Sequence, residues 1–314
     1  MRIQSINTNQ NLYFNKPVSF GLHNPQAALE RAKTLQSEYA KRGITYLLPC
    51  DVWSTKKIMK TTDRAIQEYN ALEDGKSINS KALNNILAKL LPASIANKIK
   101  IGDFFSDFAK YLKTQGLSEF QISSVLNTYQ GFTIPNKDKT SIFLKDKFNK
   151  ADNNNAFAHE LKHALTSKTT NIEARDTYKI NDDKVVEKLF DVFHVLEIDY
   201  KIDRNVCNSN IDLTRENFLK NITYKGKNFK TKEDLYSSLE ENVNKLFISN
   251  KLDKVKNNKY VYEFLQHYAK DEKEAYSTLK VLREDKNKPI GRELEQFKYE
   301  FFENFFKQKS AQLN

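Results

Sequence analysis

The sequence contains few of the residues that build turn-rich or disulfide-linked folds. Among its 314 residues are only 8 Gly, 6 Pro and 2 Cys. Because a β-barrel or β-sandwich needs many turns, this composition favours long helices instead. Cys50 and Cys207 are too few, and too far apart in sequence, to indicate a disulfide framework or a Cys-based zinc site. A reducing compartment fits this cysteine usage.

Long apolar runs are also missing. No segment approaches the roughly 18 consecutive apolar residues of a membrane span. The N-terminal segment MRIQSINTNQNLYFNKPVSFG has no continuous apolar stretch of the kind found in a signal peptide. The hydrophobic content of 39% is nevertheless enough for a globular core. We therefore expect a soluble, cytoplasmic protein without a membrane span, and secretion without a cleaved signal stays open.

The net charge is +11, which by itself permits attraction to nucleic acid or anionic surfaces. However, the 51 basic residues are interleaved with 40 acidic ones along the whole chain. Such mixing is typical of solvated helix faces. No Arg-rich or Gly-aromatic segment indicates a nucleic-acid module. Nucleic acid is therefore not an expected partner.

Composition and periodicity divide the chain into three parts. Residues 1–23 are polar and Asn-rich and are predicted to form a flexible tail. Residues 24–130 are predicted to be a helical region, and residues 131–314 a second domain. Predicted helices cover about 25–42, 54–73, 78–91, 102–115, 118–129, 183–203, 232–249, 257–269, 271–284 and 290–308. Ser118 and Gln121 form a predicted capping box, TSIFL predicts a strand at about 140–145, and the apolar run at 44–49 is a further candidate strand.

The segment NNNAFAHELKHALTS, residues 153–167, contains a candidate metal-binding motif. On a helix, His159 and His163 lie one turn apart and can direct two imidazoles to one point, as a tetrahedral zinc requires. The apolar residues of the segment occupy the other side, and Lys162 is expected to reach solvent. Asn153–Asn155 are candidate N-caps. We interpret the segment as a metal-binding helix.

The segment AHELKHAL resembles the active-site helix of zincin-type zinc metallopeptidases, in which a strand precedes the helix and lines the substrate cleft. The resemblance covers about residues 140–168 and one later helix. It implies a mainly α (α+β) fold, in which the helical region is followed by a zincin-like domain with a small sheet and an active-site helix. Lys162 departs from the family, which usually has an uncharged residue there.

The third metal ligand must come from elsewhere, because no HxxGxxH continuation follows His163. A glutamate on a later helix, as in gluzincins, is the natural alternative. Glu272 begins a segment similar to the Glu-x-x-Ala pattern of that group, and it shares its helix face with apolar residues, so it needs a metal or a buried cation as partner. Glu197, at the edge of another apolar face, is the rival, with Glu173 and His194 ranked behind.

The resemblance implies one zinc ion, bound by His159, His163 and Glu272, that activates water for the hydrolysis of a protein or peptide substrate. Glu160 is the expected general base. Tyr276 is the expected donor to the oxyanion, with His267 and His194 behind it. The strand TSIFL is expected to pair with an extended substrate as an edge strand.

Two other functions remain open. One is a catalytically inactive protease-like helical protein that binds a partner, although the intact Glu160 argues against it. The other is a basic helical protein that binds nucleic acid and carries the histidine motif by accident. Steep salt dependence of such binding, without metal, would favour the last reading.

Overall fold

The computed structural model describes residues 25–41, 43, 45, 47, 49–72, 80–114, 116–136, 138–145, 150–166, 178–202, 215–277 and 291–313. The predicted tail at 1–23 and the candidate ligand Glu173 lie outside these residues. Within the described ranges, no helix is both long enough and apolar enough to cross a membrane.

The fold is mainly helical, as the composition predicts. The α-helices are α1 Pro25–Lys41, α2 Pro49–Val52, α3 Thr55–Asn70, α4 Ser80–Leu90, α5 Ala93–Ala96, α6 Ala109–Thr114, α7 Glu119–Thr128, α8 Lys150–Thr166, α9 Asp183–Ile198, α10 Arg215–Lys220, α11 Lys232–Ser249, α12 Lys259–Ala275 and α13 Gly291–Ala311. A π-helix at Phe104–Phe108 and a 3₁₀ turn at Asp253–Val255 complete the helical elements of the described ranges. The capping box at the start of α7 is present, because Ser118 and Gln121 each bond to the other's backbone N–H.

A three-stranded sheet lies against α8. Its strands are β1 Ile99–Asp103, β2 Gly131–Pro135 and β3 Thr140–Leu144, in the order β1-β3-β2. β1 runs parallel to β3, and β2 runs antiparallel to it. The strand predicted at about 140–145 is therefore present as β3, but the expectation that it is an edge strand is wrong. β2 forms the sheet edge next to α8.

The predicted helix at 102–115 is wrong over its first part. Ile99 and Ile101 alternate with exposed Lys100, and both isoleucines are buried, so this segment joins the sheet as β1. Asp103 then accepts a bond from the backbone N–H of Ser106 and begins the π-helix. Since β1 pairs with β3, the sheet includes residues on both sides of the domain boundary predicted between residues 130 and 131.

Three further predictions differ from the structure. α9 ends at Ile198 rather than near residue 203, because Tyr200–Ile202 (β4) pairs with Ile222–Tyr224 (β5) in a small antiparallel sheet. The predicted helices at 257–269 and 271–284 are continuous across residue 270, as α12, and residues 278–290 lie outside the described ranges. α8 begins at Lys150, so Asn153–Asn155 lie inside the helix rather than at its N-cap.

Helix α8 lies between two hydrophobic cores. One core combines side chains of α3, α4, β1, β3 and α8, and the other is rich in aromatic residues and lies among α9, α11, α12 and α13. The apolar face predicted for α8 is fully buried in the first core: Phe157, Ala158, Leu161, Ala164 and Leu165 are each 0% exposed. The opposite face of α8 packs against α12.

Candidate metal centre

The histidine pair stands on the face of α8 that its apolar residues leave free. His159 and His163 are one turn apart, with their ring centroids 4.6 Å apart and their Nε2 atoms 3.0 Å apart. Their side chains are 13% and 12% exposed. Two imidazoles are therefore held with the same nitrogen directed to one point, away from bulk water.

Glu272 reaches the same point from the last turns of α12. One carboxylate oxygen lies 3.4 Å from His159 Nε2, and the other lies 3.3 Å from His163 Nε2. The Glu272 side chain is only 12% exposed. Of the described residues, these three form the one group of His, Cys, Asp and Glu side chains that is close enough to hold a metal ion.

The spacing of the three residues fits a tetrahedral metal. Ligand atoms bound at about 2.0–2.1 Å around a tetrahedral zinc lie about 3.3–3.4 Å apart. The two histidine-to-carboxylate distances, each to a different oxygen of Glu272, have this length, and the distance between the two Nε2 atoms is only slightly shorter. Two imidazole nitrogens and a carboxylate oxygen also form a known catalytic zinc ligand set that leaves a position for water.

The charges of this group are strongly coupled. Burial alone would lower the pKa of His163, but the neighbouring Glu272 carboxylate outweighs it and raises the pKa to about 9, with a smaller contribution from Glu160. Burial would raise the pKa of Glu272, but His163 and His159 hold it well below its usual range. In the metal-free chain, the carboxylate is thus ionised beside a protonated His163.

Glu160 lies on the next position of α8 and is held by strand β2. It is 7% exposed. The hydroxyl of Thr133 donates to its Oε2 at 2.6 Å and also lies 3.0 Å from its backbone oxygen. Gly131 of the same strand approaches equally closely, since a Cβ at that position would lie 2.8 Å from Glu160 Cγ. No sequence pattern indicates Thr133, because its contact with Glu160 depends on the packing of β2 against α8.

Tyr276, the first residue after α12, contributes its ring to the site. The ring lies against His159 with a centroid distance of 4.2 Å and stacks on Tyr299 of α13 at 5.6 Å. His159 Nδ1 is buried and has no hydrogen-bond partner among the described residues, so packing against Tyr276 orients this imidazole. Burial, together with Glu295, raises the pKa of Tyr276 well above its usual value and keeps the phenol protonated.

The rival ligand Glu197 is engaged elsewhere. One of its oxygens lies 3.6 Å from Nδ1 of His194, one turn earlier on α9, and the same nitrogen lies 3.2 Å from the hydroxyl of Tyr129. Burial raises the pKa of Glu197, opposed by His194 and Lys298. Glu197 and His194 therefore form a separate ion pair, to which the hydroxyl of Tyr129 is hydrogen-bonded through His194. No sequence pattern indicates Tyr129.

Lys162 and His267 lie outside the group of candidate metal ligands. Lys162 is 2% exposed, so the expectation that it reaches solvent is wrong: α8 is covered on that side as well. Burial lowers the pKa of Lys162, opposed mainly by Glu274. His267, considered as a second-rank donor, lies 3.8 Å from Asp271 and packs near Tyr178.

In comparisons with protein-family models, with characterised proteins and with solved structures, no match to the chain was found. The function is therefore inferred from the geometry of the site and from the resemblance of the segment AHELKHAL to a zincin active-site helix.

Proposed function

We propose that the chain is a zinc-dependent metalloendopeptidase that hydrolyses peptide bonds in a protein or peptide substrate. The observation that carries the proposal is the convergence of His159, His163 and Glu272 from two separate helices, with mutual distances of 3.0–3.4 Å. A carboxylate and two imidazoles that are each only 12–13% exposed are costly unless a partner satisfies them. One zinc ion satisfies all three at once.

The three residues would hold the zinc, and the remaining position would take water. Zinc bound there would lower the pKa of that water to about 7 and polarise the substrate carbonyl. Glu160, adjacent in sequence to His159, takes a proton from the attacking water while the water oxygen bonds to the carbonyl carbon. The C–N bond then breaks as Glu160 passes the proton to the leaving nitrogen. The products are a carboxylic acid and an amine.

The proposed position of the substrate is along β2. This strand is the edge of the sheet next to α8, and an extended peptide can pair with an exposed strand edge. Such pairing would bring a peptide carbonyl close to Glu160, whose side chain contacts β2. The proposed donor to the oxyanion is Tyr276, whose ring contacts His159.

The test combines metal analysis with hydrolysis of a fluorescence-quenched peptide library. Protein purified without chelator or affinity-column metal should contain about one zinc per chain, and it should cleave the library until zinc is removed. Glu160→Gln is the matched control, since it keeps the size of the side chain and the three ligands. It should retain zinc and lose turnover.

Two results would contradict the proposal. A chain that binds zinc without cleaving any peptide would be a metal-binding protein of another kind. A chain that takes up no zinc, even when zinc is added, would make the histidine motif a structural element of a binding protein.

A further inference from the structure

Strand β2 makes an unusual contact with Glu160. The 2.6 Å separation between Thr133 Oγ1 and Glu160 Oε2 is that of a short O–H···O hydrogen bond. No other hydrogen bond to this carboxylate is found in the described part of the chain. Because Glu160 is 7% exposed, this hydroxyl replaces part of the hydration that the carboxylate loses on burial.

The approach of the backbone restricts the same side chain from another direction. At Gly131, two residues earlier on β2, a Cβ would lie 2.8 Å from Glu160 Cγ and 3.1 Å from Oε1. A side chain at this position would force Glu160 or the strand to shift. Gly131 and Thr133 point to the same side of the strand, since side chains alternate along it. Together they fix both the stem and the end of the glutamate.

We infer that Thr133 is a positioning residue for the general base. Its hydroxyl bonds to Oε2 and so fixes the rotation of the carboxylate, which leaves Oε1 to exchange protons with water and the leaving amine. The inference rests on the proposed function, in which Glu160 is that base. It extends the active site to a strand that carries no metal ligand and no acid–base group.

Proton transfer requires the base within hydrogen-bond reach of the proton that it takes. A freely rotating carboxylate samples that geometry for only part of the time, and small misplacements of catalytic groups can cost about 100-fold in rate. Thr133 should therefore affect kcat, whereas metal binding and substrate pairing along the strand should not depend on its hydroxyl.

The experiment compares Thr133→Val with Thr133→Ser in the full chain. Valine keeps the shape and the strand preference but lacks the hydroxyl, and serine keeps the hydroxyl. We expect Thr133→Val to retain one zinc, to keep KM within about twofold and to lose at least about tenfold in kcat. Thr133→Ser should recover most of that loss. Ile101→Val, on β1 of the same sheet and away from the proposed substrate strand, is the control for a disturbance of the sheet and should keep kcat.

A second measurement does not depend on activity. Thermal midpoints of the zinc-free protein are compared for wild type, Thr133→Val, Glu160→Ala and the double variant. If the hydroxyl bonds to the carboxylate, the shifts of the two single variants should sum to more than the shift of the double variant. Additive shifts would overturn the contact.

The outcomes separate this inference from the proposed function. A wild-type chain without hydrolysis would overturn the proposed function and the positioning role with it. An active wild type with unchanged kcat in Thr133→Val, or a serine variant as slow as the valine variant, would overturn the positioning role alone.

Discussion

Replacing Glu272 by Gln tests which glutamate completes the metal site. The substitution removes the charge but keeps the length of the side chain. In the structure, Glu272 is the residue that approaches both histidines, at 3.3 and 3.4 Å, whereas Glu197 pairs with His194. Glu272→Gln should therefore remove a ligand, and Glu197→Gln should change only the surrounding electrostatic field.

The expected magnitudes follow from these positions. Loss of a partner outside the ligand set typically costs about 10–100-fold in metal affinity. Removal of a ligand should weaken zinc binding by more than that range. A 100-fold loss of affinity corresponds to about 2.8 kcal/mol. We expect zinc affinity to fall by more than about 100-fold in Glu272→Gln, and by less than about tenfold in Glu197→Gln.

The assay is competition for zinc against a chromophoric chelator of known affinity, at constant pH, for wild type and both variants. Circular dichroism of the zinc-free proteins checks that each variant is folded. Equal affinity of Glu272→Gln and wild type would refute the assignment of Glu272. A large loss in Glu197→Gln alone would move the third ligand to α9 and require a rearrangement of the two helices.

Three other predictions follow from the site. His163 has a pKa of about 9 in the metal-free chain and must be neutral to bind zinc, so zinc binding at pH 7 should release about one proton. For the same reason, zinc affinity should rise about tenfold per pH unit between pH 6 and 8. Calorimetry in buffers of different ionisation enthalpy measures the released proton, and binding heats that do not depend on the buffer would contradict this prediction. Tyr276→Phe should lower kcat by about 100-fold if its hydroxyl stabilises the oxyanion, whereas an unchanged kcat in a peptide cleavage assay would leave Tyr276 only the packing of its ring on His159. Gly131→Ala should lower the free energy of unfolding by about 1–3 kcal/mol and reduce kcat without loss of zinc, because its Cβ would lie 2.8 Å from Glu160 Cγ and 2.9 Å from Leu144 Cδ2. Denaturant unfolding measures the stability and metal analysis measures the bound zinc. A variant as stable as wild type would mean that β2 shifts at little cost and would contradict the predicted clash.

The sequence predicted the local features well, because they depend on neighbours within one or two turns. The apolar face of α8 is buried as its periodicity indicates, and the capping box at Ser118 is present. The predicted limits of the helix at 232–249 agree with α11. Segments whose structure depends on distant partners were predicted less well: β1, β2, β4 and β5 are each stabilised by pairing with another strand.

By itself, the sequence determined that His159 and His163 share a helix face and that Glu272 is an acid on an apolar face. Helical periodicity alone establishes both. Only the tertiary structure decided that α12 brings Glu272, rather than Glu197, next to the two histidines, that β3 is central in its sheet, and that Thr133 bonds to Glu160. These contacts join residues far apart in the chain, and their geometry is set by how helices and strands pack together, which no local pattern records.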